Sequence, residues 1–357
     1  MKVLTVYQYG ILGGVVAQLR NRLEALGDRV EMHFAFLEDL GAASAFPPGT
    51  PVHFLRSPEA LTDLLRSEPF DVIVNIDTPG AYPAILAAEP AAPILHEVHT
   101  TYTFIDYLWS LTQDPPMDAL LAPSAYLRAR LLHEFGFEGV RPVHVVPNVL
   151  DTARFDYREP ARVPERPVIL WVGKLDAHKN WRDALAIAAA AVARRPCELW
   201  MVGGYTAPEE TVTPVLRLAT RLEIFDCLRW IQRVDYPAMP CFYSMAAASG
   251  GCLLITSKDE SFGMAAVEAM ACRLPVVASR VGALPEVLDG PHQAGLYSLH
   301  HVEAAAARVA SLLDDPSERE ALAEQGRRKV CERYSLQVAG ETYLRVLASL
   351  KRGGSGP

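Results

Sequence analysis

The chain lacks most of the features that would mark a secreted, membrane-bound or nucleic-acid-binding protein. Its six cysteines, at 197, 227, 241, 252, 272 and 331, form no CxxC pair and show no metal-ligand spacing, so they read as reduced core thiols rather than a disulfide or metal framework. No run of about 18 apolar residues occurs, which excludes a membrane-spanning helix. The N-terminal MKVLTVYQYG is a short apolar run ending in glycine, without the longer apolar region and small-residue cleavage site of a signal peptide. A cytoplasmic location is the expectation. Positive charge is also in deficit: 34 Lys and Arg against 42 Asp and Glu give a net charge of -8. That balance argues against nucleic acid or anionic lipid as a partner held by bulk electrostatics, so an anionic ligand must be met by a local group. Polar low-complexity sequence is missing too, except in the Gly-Gly-Ser-Gly-Pro end, where residues 353–357 are expected to be mobile. Neither half opens with GxGxxG followed by an acid about twenty positions on, which disfavours an NAD-dependent enzyme.

What is present is an ordered chain of 357 residues, half of them hydrophobic, long enough for two domains with a core each. Short apolar runs at Lys2 to Tyr7, Val30 to Phe36, Asp71 to Ile76, Pro93 to Val98, Ala119 to Ala122 and Val143 to Val146 alternate with helical patterns. This alternation predicts a parallel sheet with crossover helices, a doubly wound α/β layer, over residues 1–150. Residues 151–167 are charged, proline-rich and aperiodic, as a linker would be. A second series follows over 168–334, with strands expected at Val168 to Val172, Glu198 to Val202, Leu228 to Ile231, Cys252 to Thr256 and Pro275 to Ala278. The stretch from Val302 to Leu350 reads as helical, broken at Asp314-Asp315-Pro316, and its last helix, 335–352, is expected to cross back to the first domain.

In open α/β sheets, ligands bind at the carboxyl ends of strands, so the loops that follow strands carry the functional signal. The most informative is DESFGMAAVEAMACRLPVVASRVGALP, Asp259 to Pro285. Glu260 and Glu268 bracket a glycine turn, and Glu268 is the single charge on an otherwise apolar helix expected from Gly263 to Cys272. A carboxylate in such company needs a partner, and a ligand with hydroxyl groups would serve. The helix start near Ser261, Phe262, Gly263 and Met264 presents backbone N–H groups and a positive dipole end, which favours phosphate. Gly13 and Gly14, after the first strand, open a helix in a way that lets backbone approach a ligand or simply makes a tight turn.

Together these loops resemble the retaining glycosyltransferases of family 4, which share the GT-B fold, two Rossmann-like domains facing across a cleft, and use nucleotide-diphosphate sugars. The most specific part is the E-x7-E pattern from Glu260 to Glu268. By that resemblance Glu260 lies near the donor sugar and Glu268 holds the ribose hydroxyls. The loop Gly173-Lys174-Leu175-Asp176-Ala177-His178-Lys179 places Lys174 and Lys179 where similar enzymes use Arg and Lys to grip the diphosphate. At Lys174 the fork of an arginine is replaced by a point charge. His99, with His96 as its competitor, occupies the place of a histidine presented to the sugar. Asn148, in Pro147-Asn-Val-Leu-Asp151, matches a common Pro-Asn-Gly-Val-Asp stretch without its glycine, which suggests hinge geometry. Gly203 and Gly204 follow a strand, Arg233 stands in a segment whose backbone contacts the base, and Val281-Gly-Ala-Leu-Pro-Glu286 resembles a loop that supports the nucleotide pocket. The resemblance implies sugar transfer without a metal or other cofactor, in keeping with the lack of a DxD motif on a loop after a strand. Acceptor contacts are expected from loops near Asp77 to Tyr82 and Thr100 to Trp109, with Tyr82, Tyr102 and Asp106 as candidates for a small-molecule or saccharide acceptor. The absence of a basic amphipathic helix near the N-terminus favours a soluble acceptor over a lipid. A phosphorylase, epimerase or hydrolase of a nucleotide sugar, or a non-catalytic nucleotide-sugar-binding protein, would share much of this pattern.

Overall fold

The computed structural model describes residues 1–11, 13–101, 105–205 and 207–353. They form two compact units, one of Met1–Val149 together with the residues from Ser335 onward, the other of Leu150–Tyr334.

The first unit is a seven-stranded parallel sheet. Its strands are β1 (Lys2–Ile11), β2 (Glu31–Leu40), β3 (Val52–Phe54), β4 (Val72–Ile76), β5 (Ile94–Glu97), β6 (Ala119–Ala122) and β7 (Val143–Val145), in the order β3-β2-β1-β4-β5-β6-β7. The central strands β4 and β6 are buried along their whole length, as continuous apolar runs covered on both faces must be. Successive residues of β1 feed opposite cores: Leu4 and Val6 pack on one face of the sheet and Val3 on the other. The last helix, Leu336–Gly353, packs against the helix Gly14–Leu26 on the Val3 face, where Tyr343 and Leu347 are fully buried.

The second unit has six parallel strands, β8 (Val168–Val172), β9 (Glu198–Val202), β10 (Leu228–Ile231), β11 (Cys252–Ile255), β12 (Val276–Ser279) and β13 (Leu296–Tyr297), in the order β10-β9-β8-β11-β12-β13. The sequence pattern did not foretell β3 or β13. They have three and two residues, too few for a periodic signal, and each lies at a sheet edge. Residues 151–167 carry no helix or strand, yet the start of this segment is anchored rather than loose. Phe155 is fully buried beside Tyr236 and Tyr243, and Arg327 donates to the carbonyls of Thr152 (2.9 Å) and Phe155 (2.8 Å). The break at Asp315 is a capping site, where its carboxylate accepts from Glu318 N at 2.9 Å to start the helix Pro316–Arg333.

In both sheets the strand order reverses beside the first strand of the unit, between β1 and β4 and between β8 and β11. In open α/β sheets such switch points are where ligands bind, at the carboxyl ends of the strands. Among the described residues no helix is long and apolar enough to cross a membrane.

Candidate functional site

At the switch point of the second unit the loops after β8, β9, β11 and β12 are tied to one another. Gly173 N donates to Val202 O at 3.0 Å. Gly203 has φ of +126°, and a Cβ there would lie 2.1 Å from Gly173 O. Only glycine lets these two backbones close. The Thr256 hydroxyl reaches the carbonyls of Lys179 (2.8 Å) and Asn180 (3.0 Å), and Lys258 N donates to His178 O at 2.9 Å. From the β12 side, Ala283 N donates to Glu260 O at 2.8 Å, so the loop around Glu286 backs the Glu260 turn.

The centre of this arrangement is an ion pair. Lys179 Nζ donates to Glu260 Oε1 at 2.5 Å, and Ser257 Oγ donates to the same oxygen at 2.6 Å. Burial alone would push the Glu260 pKa up; the Lys179 ammonium and these hydrogen bonds outweigh it and hold the carboxyl below its ordinary range. Lys179 is itself placed by its backbone N–H, which donates to Asp176 Oδ1 at 2.7 Å. Next to Glu260 the chain turns through Ser261 and Phe262 to Gly263, whose φ of +100° starts the helix Met264–Ala271 without a side-chain cap. A Cβ at Gly263 would lie 2.8 Å from Leu284 Cδ2. Phe262 is buried, edge-on to Tyr334, and Met264 packs partly on the core. What Phe262 offers a ligand therefore comes from its backbone.

Glu268 lies in the second turn of that helix, and its Oε2 has a hydroxyl donor within the fold. Tyr243 donates to Glu268 Oε2 at 2.8 Å. Burial pushes the Glu268 carboxyl up to about 7, and the Tyr243 and Tyr236 hydroxyls offset only part of that rise. This corrects the expectation of an unmet carboxylate. The sequence signal for Tyr243 was weak, since a tyrosine in an apolar helix reads as ordinary core. Lys174 is exposed and makes no ion pair among the described residues. Arg233 is exposed as well, with its guanidinium 5.6 Å from the Tyr205 ring and 3.7 Å from Asp235.

In the first unit, Asp77 follows β4 with φ of +41°, a conformation that is costly without glycine and concentrates at functional sites. Its carboxylate accepts from His99 N (3.0 Å), Thr100 N (2.9 Å) and Thr100 Oγ1 (3.0 Å). His99 Nε2 donates to Glu97 Oε2 at 3.0 Å, and the same oxygen takes Arg22 Nη1 at 2.5 Å in a fully buried pair. Burial would raise the Glu97 pKa; Arg22 and the His99 hydrogen bond reverse that and hold it at about 2. His99 is thus fixed through both backbone and ring. His96 is a different case, buried between the hydroxyls of Tyr82 (2.7 Å) and Tyr107 (2.9 Å), with burial pushing its pKa down to about 3. Tyr82, expected as an acceptor contact, is therefore committed to the core. Asp106 is exposed ahead of the helix Tyr107–Leu111, and Tyr102 lies outside the described residues. Asn148 is buried in the first unit. Gly13 has an ordinary extended backbone (φ -159°), and a Cβ on Gly14 would meet nothing within 4 Å. The fold does not itself require glycine at either place, which removes the tight-turn explanation. Arg22 went unremarked in the sequence, although Gln18, Asn21 and Arg22 share a face of the helix Gly14–Leu26 and are all buried.

Two doubly wound sheets with their functional loops at the switch points define the GT-B class. A crystal structure of Anabaena HepE in complex with UDP and glucose superposes with a TM-score of 0.83 at 18% identity, covering 98% of this chain and 100% of that one. A sucrose-phosphate synthase from Thermosynechococcus elongatus superposes at 0.79 and 19% identity, covering 99% and 100%. At such identities the likeness concerns the fold. Family models described as "Glycosyltransferase Family 4" and "Glycosyl transferases group 1" match residues 12–154 and 153–329, and the chain belongs to this family. It is 30% identical over 250 residues to D-inositol 3-phosphate glycosyltransferase 2 of Catenulispora acidiphila, over 63% of this chain and 58% of that protein. It is 32% identical over 248 residues to the MMP alpha-(1->4)-mannosyltransferase of Mycolicibacterium hassiacum, over 69% of this chain and 57% of that one. The chain thus spans less than two thirds of the length of these curated relatives.

Proposed function

We propose that the protein is a retaining glycosyltransferase that moves a sugar from a UDP- or GDP-sugar to a hydroxyl of a soluble small-molecule or saccharide acceptor, without a metal ion. The observation that carries this reading is the Lys179–Glu260 ion pair beside the uncapped start of the helix Met264–Ala271. It sets a cation and backbone N–H groups where a diphosphate is favoured, with a carboxylate held ionised next to them. As the bond from the anomeric carbon to the phosphate oxygen breaks, negative charge grows on the leaving nucleoside diphosphate. Lys179, Lys174 and the N–H groups of Phe262, Gly263 and Met264 stabilise that charge more in the transition state than in the ground state. The acceptor oxygen bonds to the anomeric carbon on the face the leaving group vacates, and its proton passes to the departing phosphate oxygen. Glu260 orients the sugar, His99 takes the sugar-facing role that the family resemblance assigns it, and Gly13 and Gly14 leave room for a ligand close to backbone. The HepE structure with UDP and glucose supports a nucleotide-sugar donor.

Mass spectrometry of the protein with a panel of UDP- and GDP-sugars tests this. Cleavage of one donor that accelerates with a sugar or small-molecule alcohol is the expected result. Acceptor-independent cleavage would instead identify a hydrolase, and binding without cleavage of any donor a binding protein.

The ribose role of Glu268 has its own signature. Its carboxyl titrates near 7 in the free protein, and ribose hydroxyls donate to the ionised form, so binding favours loss of the proton. The affinity for an intact nucleotide sugar should therefore rise with pH between about pH 6 and pH 8, by up to about tenfold per unit below the folded pKa, and level off above it. Calorimetry on the wild type and on Glu268→Gln reads this directly. The variant should bind more weakly and show a flat profile; a flat wild-type profile would remove Glu268 from the ribose.

A further inference from the structure

At the edge of the first sheet, at the opposite end from Asp77 and His99, two histidines and a glutamate converge. His33 lies in β2 near its start, His53 in β3, and Glu68 directly after the helix Pro58–Ser67. His33 Nδ1 is 3.3 Å from His53 Nε2 and 3.5 Å from Glu68 Oε2, and the three donor atoms all fall within 4.8 Å of one another. A tetrahedral zinc ion with ligands at about 2.0–2.1 Å holds neighbouring donors about 3.3–3.4 Å apart. We propose that His33, His53 and Glu68 form a binding site for a borderline divalent cation of the zinc type, with the fourth position open to water.

The surroundings fit this assignment. His33 Nε2 lies 2.9 Å from Glu31 Oε1, so the ring gives its N–H to that carboxylate and turns the Nδ1 lone pair toward the other two ligands. A carboxylate behind a ligating histidine is the usual means of fixing tautomer and raising ligand basicity. Lys2 Nζ donates to Glu68 Oε1 at 2.8 Å, which anchors that carboxylate and leaves Oε2 for the cation. The same ammonium lies 3.6 Å from Glu31 Oε1, so one positive charge is shared between two carboxylates. The two imidazole planes are 13° apart with centroids 5.6 Å apart, and His53 Nε2–H donates to His33 Nδ1 at 3.3 Å, a proton whose place the cation would take. Phe70 closes one side, edge-on to His33 at 5.3 Å. His33 is buried while His53 and Glu68 are half-buried, which leaves a route for the ion. Ligands from three separate elements would pin the three-residue edge strand β3, whose own backbone pairing is short. This site is independent of the transfer chemistry proposed above, because its ligands follow none of the strand ends that carry Lys179, Glu260 or His99.

The test is zinc titration of the chelator-stripped protein, followed by calorimetry and by thermal melting. One equivalent should bind, with a melting temperature that rises with zinc concentration. His53→Ala should weaken binding by about 100-fold or more, and Glu31→Gln by about 10–100-fold because it removes the orienting carboxylate and no ligand. Both should keep the wild-type far-ultraviolet circular dichroism. Should His53→Ala fail to fold, Glu31→Gln and His53→Gln carry the comparison. Failure of the wild type to bind zinc, or binding unchanged in these variants, as exposed cysteines such as Cys241 would give, would overturn the assignment.

Discussion

Glu260→Ala is expected to lower turnover by about 10²–10³-fold while nucleotide affinity stays within about tenfold of wild type. The carboxylate is placed by three independent constraints. Ser257 and Lys179 donate to its side chain, and Ala283 holds its carbonyl. A group fixed this way orients a sugar without rearranging during the reaction, and its loss falls on the transition state more than on binding. The side chain is only slightly exposed and lies in a loop, so truncation leaves the core unchanged. Steady-state kinetics with calorimetry on the same preparation separates the two effects. Wild-type turnover would end the assignment, and a collapse of nucleotide affinity would assign Glu260 to holding Lys179 in place for the diphosphate instead of to the sugar.

Lys179→Met carries the second large effect, with two readouts. Removing the ammonium takes away a stabiliser of the leaving diphosphate, for a loss of about 10²–10³-fold in turnover. It also releases Glu260. In the wild type, burial pushes the Glu260 carboxyl up, and Lys179, helped by the Ser257 hydrogen bond, outweighs it, so the folded pKa lies below the ordinary 4.5. A depressed carboxylate pKa contributes stability that is present above the unfolded value and is lost as pH falls through the folded one. With methionine at 179 the largest influence opposing burial is gone, and the carboxyl protonates at a higher pH than in the wild type. The acid limb of the pH–rate profile should move upward accordingly, and Lys179→Arg should restore the wild-type limb because charge rather than shape sets it. An acid limb that stays in place in Lys179→Met would show that the pair does not set the ionisation used in catalysis.

Much of the fold was legible because its signals are local. A strand covered on both faces, such as Val72–Ile76 or Cys252–Ile255, must be a continuous apolar run, and the spacing of such runs with intervening helices implies parallel sheets. The edge strands β3 and β13 escaped because two or three residues carry no period. In the site, the helix after Gly263 was legible from its apolar composition and its one charge. The Tyr243 hydroxyl on Glu268 was not, because it depends on how the helix Met239–Ala248 packs. His96 and His99 looked alike three positions apart. Alternation of side chains along and beyond β5 separates them, one between two tyrosines in the core and the other beside Asp77 and Glu97.

The sequence by itself determined the two-unit α/β class, the family, and the loops in which chemistry is concentrated, since turn glycines, apolar runs and the E-x7-E spacing are properties of neighbouring residues. Only the tertiary structure decided the charge state and orientation of the groups. The Lys179–Glu260 pair joins residues 81 positions apart, the Arg22–Glu97 pair 75, and the three atoms of the His33, His53 and Glu68 cluster come from three separate elements. Burial and a neighbouring charge act through space, so a carboxylate held well below its ordinary pKa at Glu97 and one raised to about 7 at Glu268 are the same residue type until the chain folds.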